Sequence, residues 1–131
     1  MKYLGIDYGA KRIGLAVSDE AGKIAFPRGT IANDSSLVEA IGSLIANERV
    51  EVLVMGDTRA LGGAENLITS EAETFVEAIK REVGIPVEMV FEGWSSMEAD
   101  RYAPEGHGHD DAAAAAVILQ RYLDIKSGSV D

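Results

Sequence analysis

Hydrophobic residues near the start of the chain alternate with polar residues and glycines in the pattern of short strands. Residues 3–6 (YLGI) predict a buried strand, residues 7–10 (DYGA) carry turn chemistry, and residues 13–17 (IGLAV) resume as a second strand. Residues 24–31 predict a third strand, in which Pro27 indicates an edge position or a bulge. Three strands joined by tight turns predict an antiparallel meander.

The hydrophobic period then changes to that of a helix. Apolar residues recur at helical spacing from Leu37 to Ile45, after a predicted cap at residues 33–35 (NDS). The remaining predicted elements are a strand over 50–55 closed by Gly56, a helix over 65–83, a strand over 86–91, a short helix over 95–102, a loop over 104–109 and a final helix from Asp110 to about Ile125. This order predicts an α/β fold with a mixed five-stranded sheet and helices on both faces.

Composition narrows the class of protein. The chain has 131 residues, of which 47% are hydrophobic, so we expect a single folded domain over 1–131. It has no cysteine, which excludes disulfides, zinc–thiolate sites and a cysteine nucleophile. The start of the chain lacks the apolar segment of a signal peptide, and no run approaches membrane-spanning length. We therefore expect a soluble, cytoplasmic protein.

The charge is strongly acidic and unevenly distributed. The net charge of −10 argues against a broad nucleic-acid-binding surface. Residues 1–31, however, carry five basic and three acidic side chains, a net charge of +2, whereas the rest carries seven basic and 19 acidic side chains, a net charge of −12. A local basic edge could therefore still contact phosphates, while most of the acidic charge is typical of solvated helix faces.

Three acids lie at the edges of apolar elements. Asp7 lies on the first strand, Glu92 ends the last strand, and Asp111 lies in the first turn of the last helix. An unpaired carboxylate on a central strand costs roughly 2–7 kcal/mol, so Asp7 needs a partner, a metal ion or exposure. The topology can bring the three acids to one rim of the sheet, where their like charges would repel. Mg²⁺ or Mn²⁺ would remove that repulsion, and two such ions can promote phosphodiester cleavage.

Each acid also has an ordinary structural interpretation. Asp7 could accept a hydrogen bond from a backbone amide of the turn at residues 9–10. Asp111 could stabilise a helix N-terminus, a role that we assign instead to the neighbouring Asp110. Glu92 could simply be the acid at the end of a strand.

Two stretches of the sequence resemble a known family. Residues 5–19 (GIDYGAKRIGLAVSD) resemble the opening motif of the YqgF-type Holliday junction resolvases of the ribonuclease H-like superfamily. Residues 111–123 (DAAAAAVILQRYL) resemble the last helix of that family. The resemblance implies a ribonuclease H-like fold and a nuclease, in a family that is also implicated in maturing the 5′ end of pre-16S ribosomal RNA.

The resemblance also implies roles for individual residues. By position, Asp7 matches the first catalytic acid of the family and Asp111 the last. Glu92 matches the middle acid, although Phe91 and Gly93 replace an aspartate and an arginine beside it. The three acids would hold Mg²⁺ or Mn²⁺ for hydrolysis of structured RNA or branched DNA, without a covalent enzyme intermediate. Cleavage of a symmetric four-way junction would require a homodimer.

Other polar residues near this rim permit two interpretations each. Lys11 and Arg12 could bind a substrate phosphate beside the metals, or could be ordinary hairpin charges. His107 and His109 could belong to a simple loop, a stray metal site or a proton shuttle. Trp94 could stack on a base or pack on the sheet rim.

Two further classes of function compete with the nuclease. The loop at residues 104–109 (PEGHGH) lacks Lys and Arg, which together with the acidic charge favours a catalytically weak relative that acts through a protein partner. Nucleotide-binding ATPases and sugar kinases share the Gly-x-Asp-x-Gly turn of residues 5–9, but they need two related domains and 131 residues supply one. We predict a metal-dependent nuclease, with the weak relative as the alternative.

Overall fold

The computed structural model of the chain describes residues 1–57, 67–91 and 111–127. In these residues the elements follow the predicted order and are β1 (Tyr3–Tyr8), β2 (Arg12–Ser18), β3 (Ala25–Ala32), α1 (Leu37–Glu48), β4 (Val52–Asp57), α2 (Leu67–Glu82), β5 (Val87–Phe91) and α3 (Asp111–Ser127). The short helix predicted over 95–102 and the loop predicted over 104–109 lie outside the described residues.

The described strands form one mixed sheet with the order β3-β2-β1-β4-β5. The ladders between β1 and β2 and between β2 and β3 are antiparallel, whereas β4 pairs with β1 and with β5 in parallel. The predicted meander and the mixed five-stranded sheet are therefore confirmed. This order makes β1 the central strand, where the meander meets the parallel half of the sheet.

Helices cover both faces of the sheet, as predicted. Alternate residues of β1 point to opposite faces: Leu4 and Ile6 belong to one buried cluster with α1 and α2, while Tyr3 belongs to a second cluster with α3. The first cluster also contains Phe75 of α2. Two separate apolar layers thus hold the sheet from both sides, and the side of the sheet on which a β1 residue lies decides which helices it meets.

Helix α3 packs unusually close to the sheet because small residues meet there. A Cβ atom on Gly5 would lie 2.7 Å from Cβ of Leu119 and 3.1 Å from the backbone oxygen of Ala115. The helix can therefore pack this closely on β1 only because residue 5 is glycine. The alanine run of residues 112–116, predicted only as a helix signal, therefore also permits this close approach. Gln120 fixes the helix to the meander, since its Oε1 accepts from the amide of Ala25.

Strand β3 is an exposed edge, as Pro27 predicted. The β2–β3 register shifts between Leu15 and Ala16, which face Gly29 and Pro27 respectively. Gly29 adopts φ 117°, a backbone conformation open to glycine and strained for other residues. The irregularity twists the edge strand and interrupts its ladder, which discourages pairing with another chain.

Two strand ends differ from the sequence prediction. Strand β1 continues through Tyr8, which was assigned to turn chemistry, because Tyr8 pairs with Ile13 of β2. The Tyr8 ring also packs on Phe75, with ring centroids 5.6 Å apart. Gly56 does not close β4 but pairs with β5. Long-range pairing thus overrides the local turn preference of both segments.

The predicted cap of α1 is wrong in its residues. The N-cap is Ser36, whose side chain makes no capping hydrogen bond. Instead Asp34 Oδ1 accepts from the backbone N–H of Ser36 at 2.9 Å and from its hydroxyl at 2.6 Å, and these bonds lower the pKa of Asp34. At the other end Arg49 is left-handed, with φ 58° and ψ 44°, and the amide of Val50 donates to the carbonyl of Ile45.

A small network of charged side chains lies at the end of the sheet where β1 begins. Glu48, at the end of α1, accepts from Lys2 Nζ at 3.0 Å through one carboxylate oxygen and from Arg28 Nε at 2.9 Å through the other. These two bonds lower the pKa of Glu48, with the Lys2 contact as the larger cause. The network connects α1 with the start of β1 and with the edge strand β3.

None of the described helices is long and apolar enough to cross a membrane.

Candidate metal centre at the end of the first strand

Asp7 lies near the carboxyl end of the central strand and is half-buried. Residues two apart on a strand share a face, so Asp7 lies on the same face as Tyr3 and Gly5, the face covered by α3. Its neighbours Ile6 and Tyr8 point the other way, toward α1 and α2. The alternation of β1 therefore directs the carboxyl group toward the helix that carries Asp111.

Gly14 is the residue through which Asp7 and Asp111 become neighbours. It pairs directly with Asp7 across the β1–β2 ladder. A Cβ atom on Gly14 would clash with the backbone oxygen of Asp111 and would lie 3.0 Å from its Cβ. Directly opposed residues have Cβ atoms roughly 4.5–5.5 Å apart, so the Cβ atoms of Asp7 and Asp111 lie within about 8.5 Å of each other. Two carboxylates at this separation can reach one cation between them.

Asp111 lies beside two positive neighbours, the N-terminus of α3 and the side chain of Arg12. Asp111 occupies the first turn of α3, where the helix dipole stabilises a negative charge. Its side chain is only 17% exposed, and Arg12 Nε lies 3.1 Å from its Oδ2. The side chain of Arg12 is 69% exposed, and Arg12 is the first residue of β2, next to the turn. The sequence had placed Arg12 beside the predicted metals but had not indicated that it pairs with Asp111.

The donor set fits a hard divalent cation. Carboxylate oxygens are the ligands that Mg²⁺ and Mn²⁺ prefer, and a site with two protein carboxylates leaves positions for water and phosphate. The missing side chain at Gly14 leaves Asp111 room to approach Asp7. The third predicted ligand, Glu92, lies outside the described residues, as do His107, His109 and Trp94. In the described ranges no cluster of three or more His, Cys, Asp or Glu side chains could hold a metal ion.

The turn that carries Lys11 is held by Asn33, a residue predicted to belong to the cap of α1. Asn33 donates from Nδ2 to the carbonyl of Gly9 at 2.7 Å, and its backbone N–H donates to the carbonyl of Lys11 at 2.9 Å. The turn is also tight, since a Cβ atom on Gly9 would lie 2.6 Å from the carbonyl oxygen of Arg12. Lys11 and Arg12 are both exposed at this rim. No local pattern links residue 33 to residue 9, so this contact could not be read from the sequence.

An open groove of about 300 Å³ lies on the other face of the same rim. Its lining includes Tyr8, the neighbour of Asp7, and the Asn33 that holds the turn. The buried side chains of Phe75 and Leu37 and the exposed side chain of Glu71 also line it. The rim of β1 thus has a carboxylate corner on the α3 side and a partly polar groove on the α1–α2 side.

Solved structures of other proteins share this fold. The chain superposes on Thermus thermophilus RuvC in complex with a Holliday junction substrate with a TM-score of 0.65, at 16% identity over 98% of both chains. The fowlpox virus Holliday junction resolvase gives a TM-score of 0.61, at 13% identity over 95% of this chain and 99% of that one. The fold is therefore the ribonuclease H-like α/β fold of these resolvases.

Comparisons of sequence show the family to which the chain belongs. The family model described as "RuvX: Holliday junction resolvase" matches residues 1–125, so the chain belongs to the RuvX family. A protein of Oleidesulfovibrio alaskensis named "Putative pre-16S rRNA nuclease" is 39% identical over 135 residues, covering 95% of this chain and 93% of that protein. One of Bordetella petrii with the same name is 37% identical over 123 residues, covering 92% and 93%. The predicted membership of the YqgF-type resolvase family is thereby confirmed.

Proposed function

We propose that this chain is a metal-dependent endonuclease that hydrolyses phosphodiester bonds in structured nucleic acid, with the 5′ end of pre-16S ribosomal RNA as its substrate. The observation that carries the proposal is the pairing of Asp7 with Gly14, which brings the carboxyl groups of Asp7 and Asp111 to one corner. Two acids on different elements, brought together only by the fold, support metal binding over local capping.

Asp7 and Asp111 would hold the cation, with Glu92 as the third ligand. When bound, Mg²⁺ or Mn²⁺ would activate water and stabilise the leaving oxygen of the phosphodiester. The protein's own contribution is rigidity, because Asp7 lies on the central strand and α3 is packed tightly on that strand through Gly5 and Leu119. Both carboxylates are therefore held in place before substrate arrives, which limits the reorganisation needed for reaction.

Lys11 and Arg12 would contact the phosphates on either side of the cleaved bond. Both are exposed at the rim that carries Asp7, and Asn33 holds the turn between the strands in one conformation. A local basic edge of this kind suits a protein whose net charge is −10, because it attracts the backbone only where cleavage occurs. The ribosomal RNA substrate is supported by the names of the relatives, and junction DNA is the competing substrate within the same proposal.

The proposal is tested by binding and cleavage measured together. Mn²⁺ and Mg²⁺ are titrated into wild type, Asp7→Asn, Asp111→Asn and the control Glu51→Gln. Glu51 is an exposed acid near the end of β1 opposite Asp7, where its backbone N–H donates to the carbonyl of Lys2. We expect each aspartate variant to lose at least about tenfold in metal affinity and to lose cleavage of RNA hairpins and four-way DNA junctions. The preferred substrate then separates RNA maturation from junction resolution.

The opposite outcome favours a second function. If wild type binds no metal at millimolar concentration and cleaves neither substrate, the endonuclease proposal is wrong. The acidic remainder of the chain, with a net charge of −12 over residues 32–131, supports a catalytically weak protein that acts through a protein partner in that case.

A further inference from the structure

The ion pair between Arg12 and Asp111 joins two groups to which the proposed function gives separate tasks. Arg12 Nε lies 3.1 Å from Oδ2 of Asp111, which is one of the oxygens that a cation in the corner would need. The guanidinium is 69% exposed, so water can replace its contact with the carboxylate when it leaves. The carboxylate is only 17% exposed and gains from a positive partner.

The geometry makes simultaneous occupation unfavourable. A divalent cation that binds Asp7 and Asp111 would lie beside the positive guanidinium of Arg12, and like charges at such short distance repel. Arg12 opens β2 next to the turn of residues 9–11, and its exposed side chain can swing outward without disturbing the ladder. Outward of the corner lies the rim that carries Lys11, where a phosphate backbone would run.

We propose that Arg12 and the divalent cation compete for Asp111, so that metal binding releases Arg12 to contact the nucleic-acid backbone. This inference rests on the proposed metal site at Asp7 and Asp111. Arg12 neutralises Asp111 while the site holds no cation, and it becomes a phosphate ligand once the cation takes that role. Metal and nucleic acid then strengthen each other's binding through Arg12, because coupling between two ligands is reciprocal.

The competition is measured by calorimetric titration of Mn²⁺ into wild type, Arg12→Gln and Lys11→Gln. Lys11→Gln is the matched control, since it removes one exposed positive charge from the adjacent position of the same turn. We expect Arg12→Gln to bind Mn²⁺ about two- to fivefold more tightly, the range set by the strength of an exposed ion pair. We expect Lys11→Gln to show clearly less than half of that gain, because its charge acts only through screened solvent.

A second measurement follows Arg12 directly. The side-chain Nε–H resonance of Arg12, assigned by its loss in Arg12→Gln, is monitored by NMR while Mg²⁺ is added. We expect this resonance to shift along the same saturation curve as the amide resonances of Asp7 and Asp111. A resonance that stays unchanged while those amides respond would overturn the competition.

The calorimetric outcomes separate the two proposals. Equal gains in Arg12→Gln and Lys11→Gln, no change, or weaker binding in Arg12→Gln would each overturn the competition while leaving the metal site intact. Failure of the proposed function has a different signature, namely that wild type binds no Mn²⁺ or that Asp7→Asn and Asp111→Asn bind it as well as wild type does.

Discussion

Gly14 and the backbone of Asp111 lie in such close contact that a Cβ atom on Gly14 would clash with the Asp111 carbonyl oxygen. Gly14 also pairs with Asp7, so one residue without a side chain fixes the spacing of both acids. The glycine of the opening motif is therefore required by the packing of α3 on β2, and no rearrangement of a flexible side chain can relieve a substitution there.

Gly14→Ala is expected to destabilise the protein by about 1–3 kcal/mol, the usual cost of overpacking a core, because the start of α3 must move. The same movement carries Asp111 away from Asp7, so the Mn²⁺ affinity falls as well. Urea unfolding and Mn²⁺ titration measure the two effects. The matched control is Gly42→Ala in α1, whose Cβ would make an ordinary 3.5 Å contact with Val83 and which should stabilise the helix by about 0.5–1 kcal/mol. Wild-type stability in Gly14→Ala would contradict this close packing of α3 on β2.

Arg49→Gly is expected to raise the free energy of unfolding by about 0.5–1 kcal/mol. Arg49 ends α1 in a left-handed conformation that costs a side-chain-bearing residue about 1–2 kcal/mol, and part of this gain is lost to the greater freedom of glycine in the unfolded chain. Urea unfolding measures the difference. Arg49→Ala keeps the strain and should show no such gain, so equal stabilisation by alanine would point to the loss of the charge instead.

The Glu48 network is expected to make stability depend on pH in the acid range. The pKa of Glu48 is lowered in the folded protein from its usual 4.5, so the folded state binds its proton less readily than the unfolded chain does. The stabilisation is therefore fully present above pH 4.5 and is lost as the pH falls through the lowered folded pKa. Glu48→Gln should cost about 0.5–1.5 kcal/mol at neutral pH, as expected for a partly exposed pair of contacts.

The check is the difference in unfolding free energy between wild type and Glu48→Gln as a function of pH. This difference should shrink on acidification below 4.5, because wild-type Glu48 then becomes protonated and loses its ionic partners Lys2 and Arg28. A difference that stays constant across that range would show that the contacts are not ionic in their contribution.

Asn33→Asp is expected to loosen the turn before β2. Aspartate has nearly the same shape but cannot donate the side-chain hydrogen bond to the carbonyl of Gly9, and its charge would face that oxygen. We expect a loss of about 1–3 kcal/mol and faster hydrogen exchange at the amides of Lys11 and Arg12. Asn33→Ala, which removes the donor without adding charge, should show a smaller effect of the same sign. Unchanged hydrogen exchange in both variants would mean that the turn is stable without the Asn33 side chain.

Much of this architecture follows from local patterns. The alternation in residues 3–17 predicted two strands, and the edge position of β3 followed from Pro27, which cannot donate to a ladder. The helical periods predicted α1 and α2 to within a few residues. The errors fall where distant pairing overrules a local preference, as at Tyr8 and Gly56.

The sequence by itself determined the order and type of the described elements and singled out Asp7 and Asp111, because periodicity, turn chemistry and an acid at an element edge are properties of neighbouring residues. Only the tertiary structure decided that α3 covers the face opposite α1 and α2, that Gly14 sets the two acids side by side, and that Arg12 pairs with Asp111. These contacts join residues far apart in the chain, and they exist only because a helix that closes on a sheet must fit the shape of the strands beneath it.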